Sequence, residues 1–528
     1  MFVILILFAG HESANPELGK TSIEFYNSEF RQYAQSFSKS HIDTSDNISK
    51  LVHDFYIKRQ YMAAWTLNFE ANSSFSKLYE LLSSSYEFGL YPSKYSLFEI
   101  MILKHKMALD KQLEERINAR VKLEYLLTYT AFRFMIHISC GYGNNSSENY
   151  IRFLEGLPSY LNFHLNNESV YQGIIELQPV NKEYVQLQHA LHKYIQTVIP
   201  DTVEVSTKIL KGNLVEIVKS LSRHGFLQYK DTVYTTDLEE ALRKFQRAHA
   251  LEASGVADEN TVAELGKSTM EYFNKIALNL NRIKKDELSK DNYILVNIPA
   301  FQLNYMNGKG QLKVFNVIVG RKYTPTPDIS SRIERIVANP HWTVPRSITY
   351  NEIIPKLRKD SSYLDKHGFI VIDNKENAVN ASEINWDSVN PNEFNYWIRQ
   401  KNSSRNALGR IKFLFPNNYR VYLHDTQSKS LFNKKVRAYS HGCVRVQNPE
   451  ELAQYIIEDY TKGNNKKLDI RSIIKAKTTQ DIYLEKPLSV FIKYYTCTAD
   501  STGNIQFYPD IYSRDEKALE TFLSEVSI

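Results

Sequence analysis

The sequence predicts a multidomain α+β protein. A helical N-terminal scaffold is followed by a three-helix module and a β-rich C-terminal domain that carries a helical insertion. Three observations carry this. The chain has 528 residues, and at roughly 100–200 residues per domain that is too long for one core. From residue 48 to 200 apolar side chains recur at helical spacing, and 119–139 (ARVKLEYLLTYTAFRFMIHIS) contains neither Pro nor Gly. After residue 290 the texture changes to short β-branched and aromatic runs punctuated by Gly, Asn and Pro.

Composition narrows the class. Apolar residues make up 43% and charged residues 23%, which argues for a globular chain. Lys+Arg 65 against Asp+Glu 59 leaves a net charge of +6. That excess is spread along the chain and gives nucleic-acid binding no support. The three cysteines, Cys140, Cys443 and Cys497, form no CxxC pair. A disulfide framework and a Cys-rich zinc module are both excluded.

The elements follow in order. Residues 1–9 (MFVILILFA) are apolar but too short to span a membrane. With the small residues after them they resemble the core of a signal peptide, so 1–14 predicts export, with an uncleaved tether as a variant of the same reading. Residues 15–47 read as a polar tail. Residues 48–212 read as the scaffold, with Leu51, Phe55, Tyr56 and Trp65 in one apolar-periodic stretch and further helices at 119–139 and 185–198.

Residues 213–267 predict three helices. The first runs over 214–223 and stops at His224-Gly225. The second, over 237–250, points Leu238, Ala241, Leu242 and Phe245 inward, and the third is capped by Asp258 or Asn260. Residues 268–290 read as a basic helical connector. Residues 291–480 predict strands at 293–299, 302–306, 312–319, 333–337, 411–415 and 420–424. The polar insertion 350–408, with helical stretches at 351–358 and 392–400, is a lid or a surface excursion. Residues 481–528 end in a helix at 515–523 and pack on the scaffold or the β-rich domain.

Reactive side chains concentrate in one place. Tyr422, His424 and Asp425 are followed by Arg437, Ser440, His441, Gly442, Cys443 and Arg445. A thiolate is a nucleophile and a nearby imidazole can take its proton, which together give acyl transfer through a thioester. Backbone N–H groups at 441–443 would stabilise the oxyanion. Two other readings stay open on the residues alone. Cys443 is a small buried hydrophobe, or His424, His441 and Cys443 bind zinc.

Ser440-His441-Gly442-Cys443 with His424 upstream resembles the signature of YkuD-type L,D-transpeptidases. The longer string YLHDT…RAYSHGCVRV resembles the large YcbB-like branch, as do VNIPAF (296–301), NPHWTVPRSI (339–348) and ALGRIKFLFPN (407–417). Residues 213–267, with KFQRAHAL, resemble a peptidoglycan-binding module, although KSLSRHGFL lacks the Gln usual at its start. This resemblance implies a peptidoglycan L,D-transpeptidase of the periplasm or cell envelope that forms 3→3 cross-links between stem peptides. Cys443 would be the nucleophile and His424 the base. Ser440, His441 and Gly442 would shape the loop, and Asp425 would act through its backbone. Arg445, Tyr422 and Trp342 would contact substrate, and 350–408 would cap the cleft. No cofactor or metal is implied. The implied partners are stem peptides, glycan strands and other cell-wall enzymes, the chain itself being a monomer. An L,D-carboxypeptidase and a non-catalytic wall-binding protein are the competing readings.

Overall fold

The computed structural model describes residues 28, 30–36, 46–143, 147–198, 201–202, 204–228, 236–286, 288, 292–306, 312–391, 393–403, 405–460 and 468–524. The apolar segment 1–14 lies outside them. No helix among the described residues is long and apolar enough to cross a membrane.

The scaffold is helical. α1 (Asn47–Lys58) starts where the Asp46 side chain accepts from Ser49 N, and it buries Leu51, Val52, Phe55 and Tyr56. Trp65 lies beyond this helix, before a short hairpin, and is wholly buried. α2 (Leu113–Cys140) is the central helix. Its buried Glu124 accepts from Ala64 N (2.7 Å), Trp65 N (2.9 Å), Thr66 Oγ1 (2.7 Å) and Tyr56 OH (2.8 Å). One carboxylate thereby satisfies the backbone turn that leads out of α1. α3 (Lys182–Thr197) packs alongside.

The three-helix module comprises α4 (Leu214–Arg223), α5 (Thr236–Ala248) and α6 (Glu259–Leu265). The cap of α6 is Asp258, which accepts from Thr261 N. Leu238, Ala241, Leu242 and Phe245 are buried as their spacing predicts.

Two expectations about the helical half are corrected. The predicted polar tail includes helical residues whose Phe30 and Ala34 are buried in the scaffold core. The predicted connector is a core helix, α7 (Thr269–Lys284), which opens with a Ser268–Glu271 capping box. It buries Tyr272, Ile276, Ala277 and Leu280. Its basic residues disguise this, because Lys284 is itself buried and donates to Phe88 O.

The C-terminal half is a barrel-like sheet. Its first strands are β1 (Tyr293–Asn297), β2 (Gln302–Met306), β3 (Leu312–Gly320) and β4 (Ile329–Ala338). An insertion then contributes β5 (Trp342–Thr343), β6 (Phe369–Ile372), β7 (Ala378–Val379) and β8 (Trp397–Gln400). The main sheet resumes with β9 (Ile411–Leu414), β10 (Leu423–His424), β11 (Ala438–Ser440), β12 (Val444–Val446) and β13 (Gln480–Lys493). The order is β11-β3-β12-β10-β9-β4-β13-β1-β2, and β2 also pairs with β3, which closes the ring. Ile294, Val317, Ile336, Phe413, Leu423 and Val444 fill its interior.

The insertion is not simply helical. Its strands form a separate antiparallel sheet in the order β5-β8-β6-β7, and residues 397–400 of the predicted second helix are the β8 strand. The expected first helix begins as a π-turn, Thr349–Ile353, and continues as Ile354–Lys359. The main sheet also runs past residue 480, since β13 lies between β4 and β1. Beyond it, β14 (Cys497–Ala499) and β15 (Ile505–Phe507) form a hairpin, and α8 (Asp515–Ser524) docks on α7 through the Asp515–Arg282 ion pair (2.8 Å).

Glu124→Ala is expected to cost about 3–5 kcal/mol, because it strands buried donors. Chemical denaturation measures this, and a loss below about 1 kcal/mol would contradict the role given to Glu124.

Candidate active site

The site is set by one parallel strand pair. In β10 and β12, Leu423 lies opposite Val444 and His424 opposite Arg445. Leu423 and Val444 point into the barrel core and are fully buried. Side chains alternate along a strand. Tyr422, His424, Cys443 and Arg445 therefore share the other face, and all four line one cleft of about 550 Å³. The insertion and the segment that leads into it supply the facing wall with Glu352, Trp342 and Arg346.

The nucleophile loop is tied from inside. Buried Ser440 donates from Oγ to Cys443 O (2.5 Å) and accepts from Gly442 N (3.1 Å). Gly442 has φ 113°, a backbone that side-chain-bearing residues rarely adopt. Thr326 donates from Oγ1 to Gly442 O (2.8 Å) and accepts from Gly320 N (2.8 Å). Tyr512, from the C-terminal segment, accepts from Thr326 N and donates to Gly320 O (2.7 Å). The Gly442 amide is thus occupied. This corrects the oxyanion expectation, which leaves only the His441 and Cys443 amides of this loop.

The Cys443 thiol faces Arg420 O at 4.0 Å. Arg420 has φ 57°, and its turn is held by the Asn417 side chain, which accepts from Tyr419 N and Val421 N and donates to Val421 O. Burial pushes the thiol above its ordinary range, and contacts with Tyr422 and the Lys412 charge oppose this. Burial pushes His424 down to about 3, reinforced by Arg445 and opposed by the Asp425 backbone. Both shifts favour a neutral thiol and a neutral imidazole at rest. His424 Nδ1 is buried without a hydrogen-bond partner, and the His424 ring meets Tyr422 edge-on at 5.5 Å.

Other predicted residues take different places. The Asp425 carboxylate turns away from the cleft to accept from Arg410 N (2.8 Å) and Thr426 N (2.7 Å) and to pair with Lys429. A Cβ on Gly409 would collide with it, which explains that glycine. His441 points to the insertion and pairs with Glu352 at 2.6 Å. The Arg445 Nε and the Trp342 indole nitrogen are buried without hydrogen-bond partners. Among the described residues, no group of three or more His, Cys, Asp or Glu is arranged to hold a metal ion.

The sequence reading missed Lys412, Glu352, Thr326 and Tyr512. Lys412 lies opposite His424 in the β9–β10 pair, with Nζ 4.6 Å from the Tyr422 ring centroid. Alternation in Ile411–Leu414 carried that signal, since Ile411 and Phe413 are the core-facing positions. The other three act across long separations that no local pattern marks.

Residues 291–464 match the model of the YkuD L,D-transpeptidase catalytic domain. Over these residues the chain is similar to a YkuD-type L,D-transpeptidase domain. Residues 50–191 match the model of a "Scaffold domain", and 211–265 match a "Putative peptidoglycan binding domain". A Haemophilus influenzae (strain ATCC 51907 / DSM 11121 / KW20 / Rd) protein named "Putative L,D-transpeptidase" is 33% identical over 243 residues, 46% of this chain and 48% of that protein. The match thus spans about half the length of that relative. Two solved L,D-transpeptidases, from Xylanimonas cellulosilytica DSM 15894 and Stackebrandtia nassauensis, align at 13% identity over 56% of this chain and 98% and 96% of theirs, each with a TM-score of 0.18.

Cys443 is expected to be alkylated by iodoacetamide at a rate that keeps rising from about pH 7 to about pH 9. The thiol is held up and His424 stays uncharged over that span. Peptide mapping isolates Cys443 from Cys140 and Cys497. A plateau already reached near neutral pH would reveal a preformed thiolate–imidazolium pair and contradict this.

Proposed function

We propose that the chain is a cell-envelope peptidoglycan L,D-transpeptidase that works through a cysteine thioester and forms 3→3 cross-links. The observation that carries the reading is the shared face of His424 and Cys443 at one cleft, with Arg445 beside them and without an ion pair among the described residues. A half-buried guanidinium in that setting suits the carboxylates of a stem peptide.

The chemistry balances as follows. His424 removes the thiol proton as Cys443 Sγ attacks the carbonyl of the third stem residue, diaminopimelate. The C–N bond to the terminal D-Ala breaks, and the imidazolium returns the proton to the departing amine. This leaves a thioester and neutral His424. The side-chain amine of a second stem then attacks the thioester, His424 takes its excess proton, and the C–S bond breaks. The thiol is restored with that proton. A neutral resting imidazole suits both steps, because each begins with proton removal. The His441 and Cys443 amides are the loop donors left for the oxyanion. Ser440 and Gly442 hold the loop, and Trp342 and Tyr422 wall the donor peptide. The Asp425 side chain has no direct part, since its oxygens are engaged elsewhere.

Mass spectrometry of disaccharide-tetrapeptides after incubation tests this. A dimer lacking one D-Ala is expected with the unaltered chain and absent with Cys443→Ala. His424→Ala is expected to slow formation about 10²–10⁴-fold. Dimer formation by Cys443→Ala would overturn the thioester route. Tripeptide without dimer would instead assign an L,D-carboxypeptidase.

A further inference from the structure

Two histidines line the Cys443 cleft in opposite surroundings. His424 is buried, and its Nδ1 has no hydrogen-bond partner. His441 reaches solvent, with 33% of its side chain exposed, and its Nε2 lies 2.6 Å from Glu352 Oε1. An ionised carboxylate only accepts, so Nε2 carries a proton and the neutral ring keeps its lone pair on Nδ1. A carboxylate that fixes one ring nitrogen and leaves the other as base is the arrangement that orients imidazoles in acyl transfer.

Glu352 comes from the insertion, on the π-turn Thr349–Ile353, a form of turn that recurs at functional sites. Among the described residues that line the cleft, it is the one carboxylate. Arg346, on the same wall, is engaged elsewhere. Its Nη1 donates to Phe394 O (2.7 Å) and Tyr396 O (2.9 Å), and its guanidinium lies over the Trp397 ring at 4.1 Å. The Glu352 charge is thereby left to His441, two positions before the nucleophile.

Joining a side-chain amine to the acyl group releases two protons, because an alkylammonium, the form present at neutral pH, ends as a secondary amide. One passes through His424 to the departing sulfur. The other must leave before the amine can attack, and His424 has to be neutral for that same attack. We propose that the Glu352–His441 pair is the acceptor-side base. The inference rests on the transpeptidase reading above and deepens it. His441 Nδ1 takes one proton from the acceptor ammonium, and the imidazolium so formed is paired with the Glu352 carboxylate. The free amine attacks the thioester carbonyl, His424 takes the second proton, the C–S bond breaks and the thiol is restored. His441, which reaches solvent, then gives its proton to water. His441 is the catalytic residue of this step, and Glu352 is a positioning residue that acts through it. Water arrives uncharged and needs no such base, so the pair favours an amine over water at the thioester.

The test is a competition at neutral pH. The full chain receives disaccharide-tetrapeptide, as donor and acceptor, together with hydroxylamine, an amine that is mostly unprotonated there. Mass spectrometry reads the ratio of dimer to tripeptide hydroxamate. Glu352→Gln keeps a hydrogen-bond acceptor for Nε2 and removes the charge. It is expected to lower the ratio at least tenfold, and His441→Gln to lower it at least as much. Glu376→Gln, also in the insertion but paired with Arg399 (2.8 Å) outside the cleft, is expected to leave the ratio unchanged. Both products come from the same folded molecules, so a loss of folded protein scales them together and does not move the ratio. An unchanged ratio in Glu352→Gln would overturn the proposal, as would an equal fall of both products, which would mean that the pair only holds the loop. An equal shift in Glu376→Gln would mean a general charge effect and would also overturn it. Hydroxamate without dimer from the unaltered chain would overturn it while the thioester stands. Neither product from the unaltered chain would instead overturn the transpeptidase reading, so the two failures are distinguishable.

Discussion

The register of β10 against β12 is the constraint on which the site depends. A slip of one residue would turn His424 and Arg445 into the barrel core and bring Leu423 and Val444 into the cleft. The slip is prevented by packing, since Leu423 and Val444 belong to the same interior cluster as Ile336 and Phe413. The closed sheet therefore does more than support the loop. It determines which face the thiol and imidazole occupy. The interactions at Ser440, Thr326 and Tyr512 then hold the Gly442 turn in a conformation that glycine adopts readily and side-chain-bearing residues rarely do.

Electrostatics around the thiol follow from this placement. Lys412, Arg445 and Arg321 bring positive charge to the neighbourhood, while the carboxylate of Asp425, next to His424 in sequence, is turned away. Positive charge favours thiolate, but burial outweighs it and the thiol stays above its ordinary range. Burial also depresses His424. Two neutral partners avoid the cost of a buried ion pair at rest. Proton transfer is then coupled to attack.

Much of this was legible in the sequence. His424, Cys443 and their neighbours lie in one short stretch, and β2 and β3 carry strong strand patterns. The three-helix module was legible because its inward positions repeat at helical spacing. What stayed hidden was non-local. The α7 helix looks basic because Lys284 and Arg282 reach partners in other parts of the fold, namely Phe88 and Asp515. The insertion's sheet is made of short strands far apart in sequence, and a four-residue strand such as β8 has too few positions to show alternation. The bond from Tyr512 to Gly320 spans 192 positions. The His441–Glu352 pair joins the nucleophile loop to the π-turn at Thr349–Ile353, which only the folded chain brings together.

The central claim is that Cys443 carries the acyl group. Acid-quenched intact-mass analysis during turnover of a tetrapeptide donor, followed by peptide mapping, tests it most directly. The account predicts an adduct equal to the donor minus D-Ala on the peptide that contains Cys443, labile to hydroxylamine as a thioester is. Steady turnover with the adduct on another residue would contradict it.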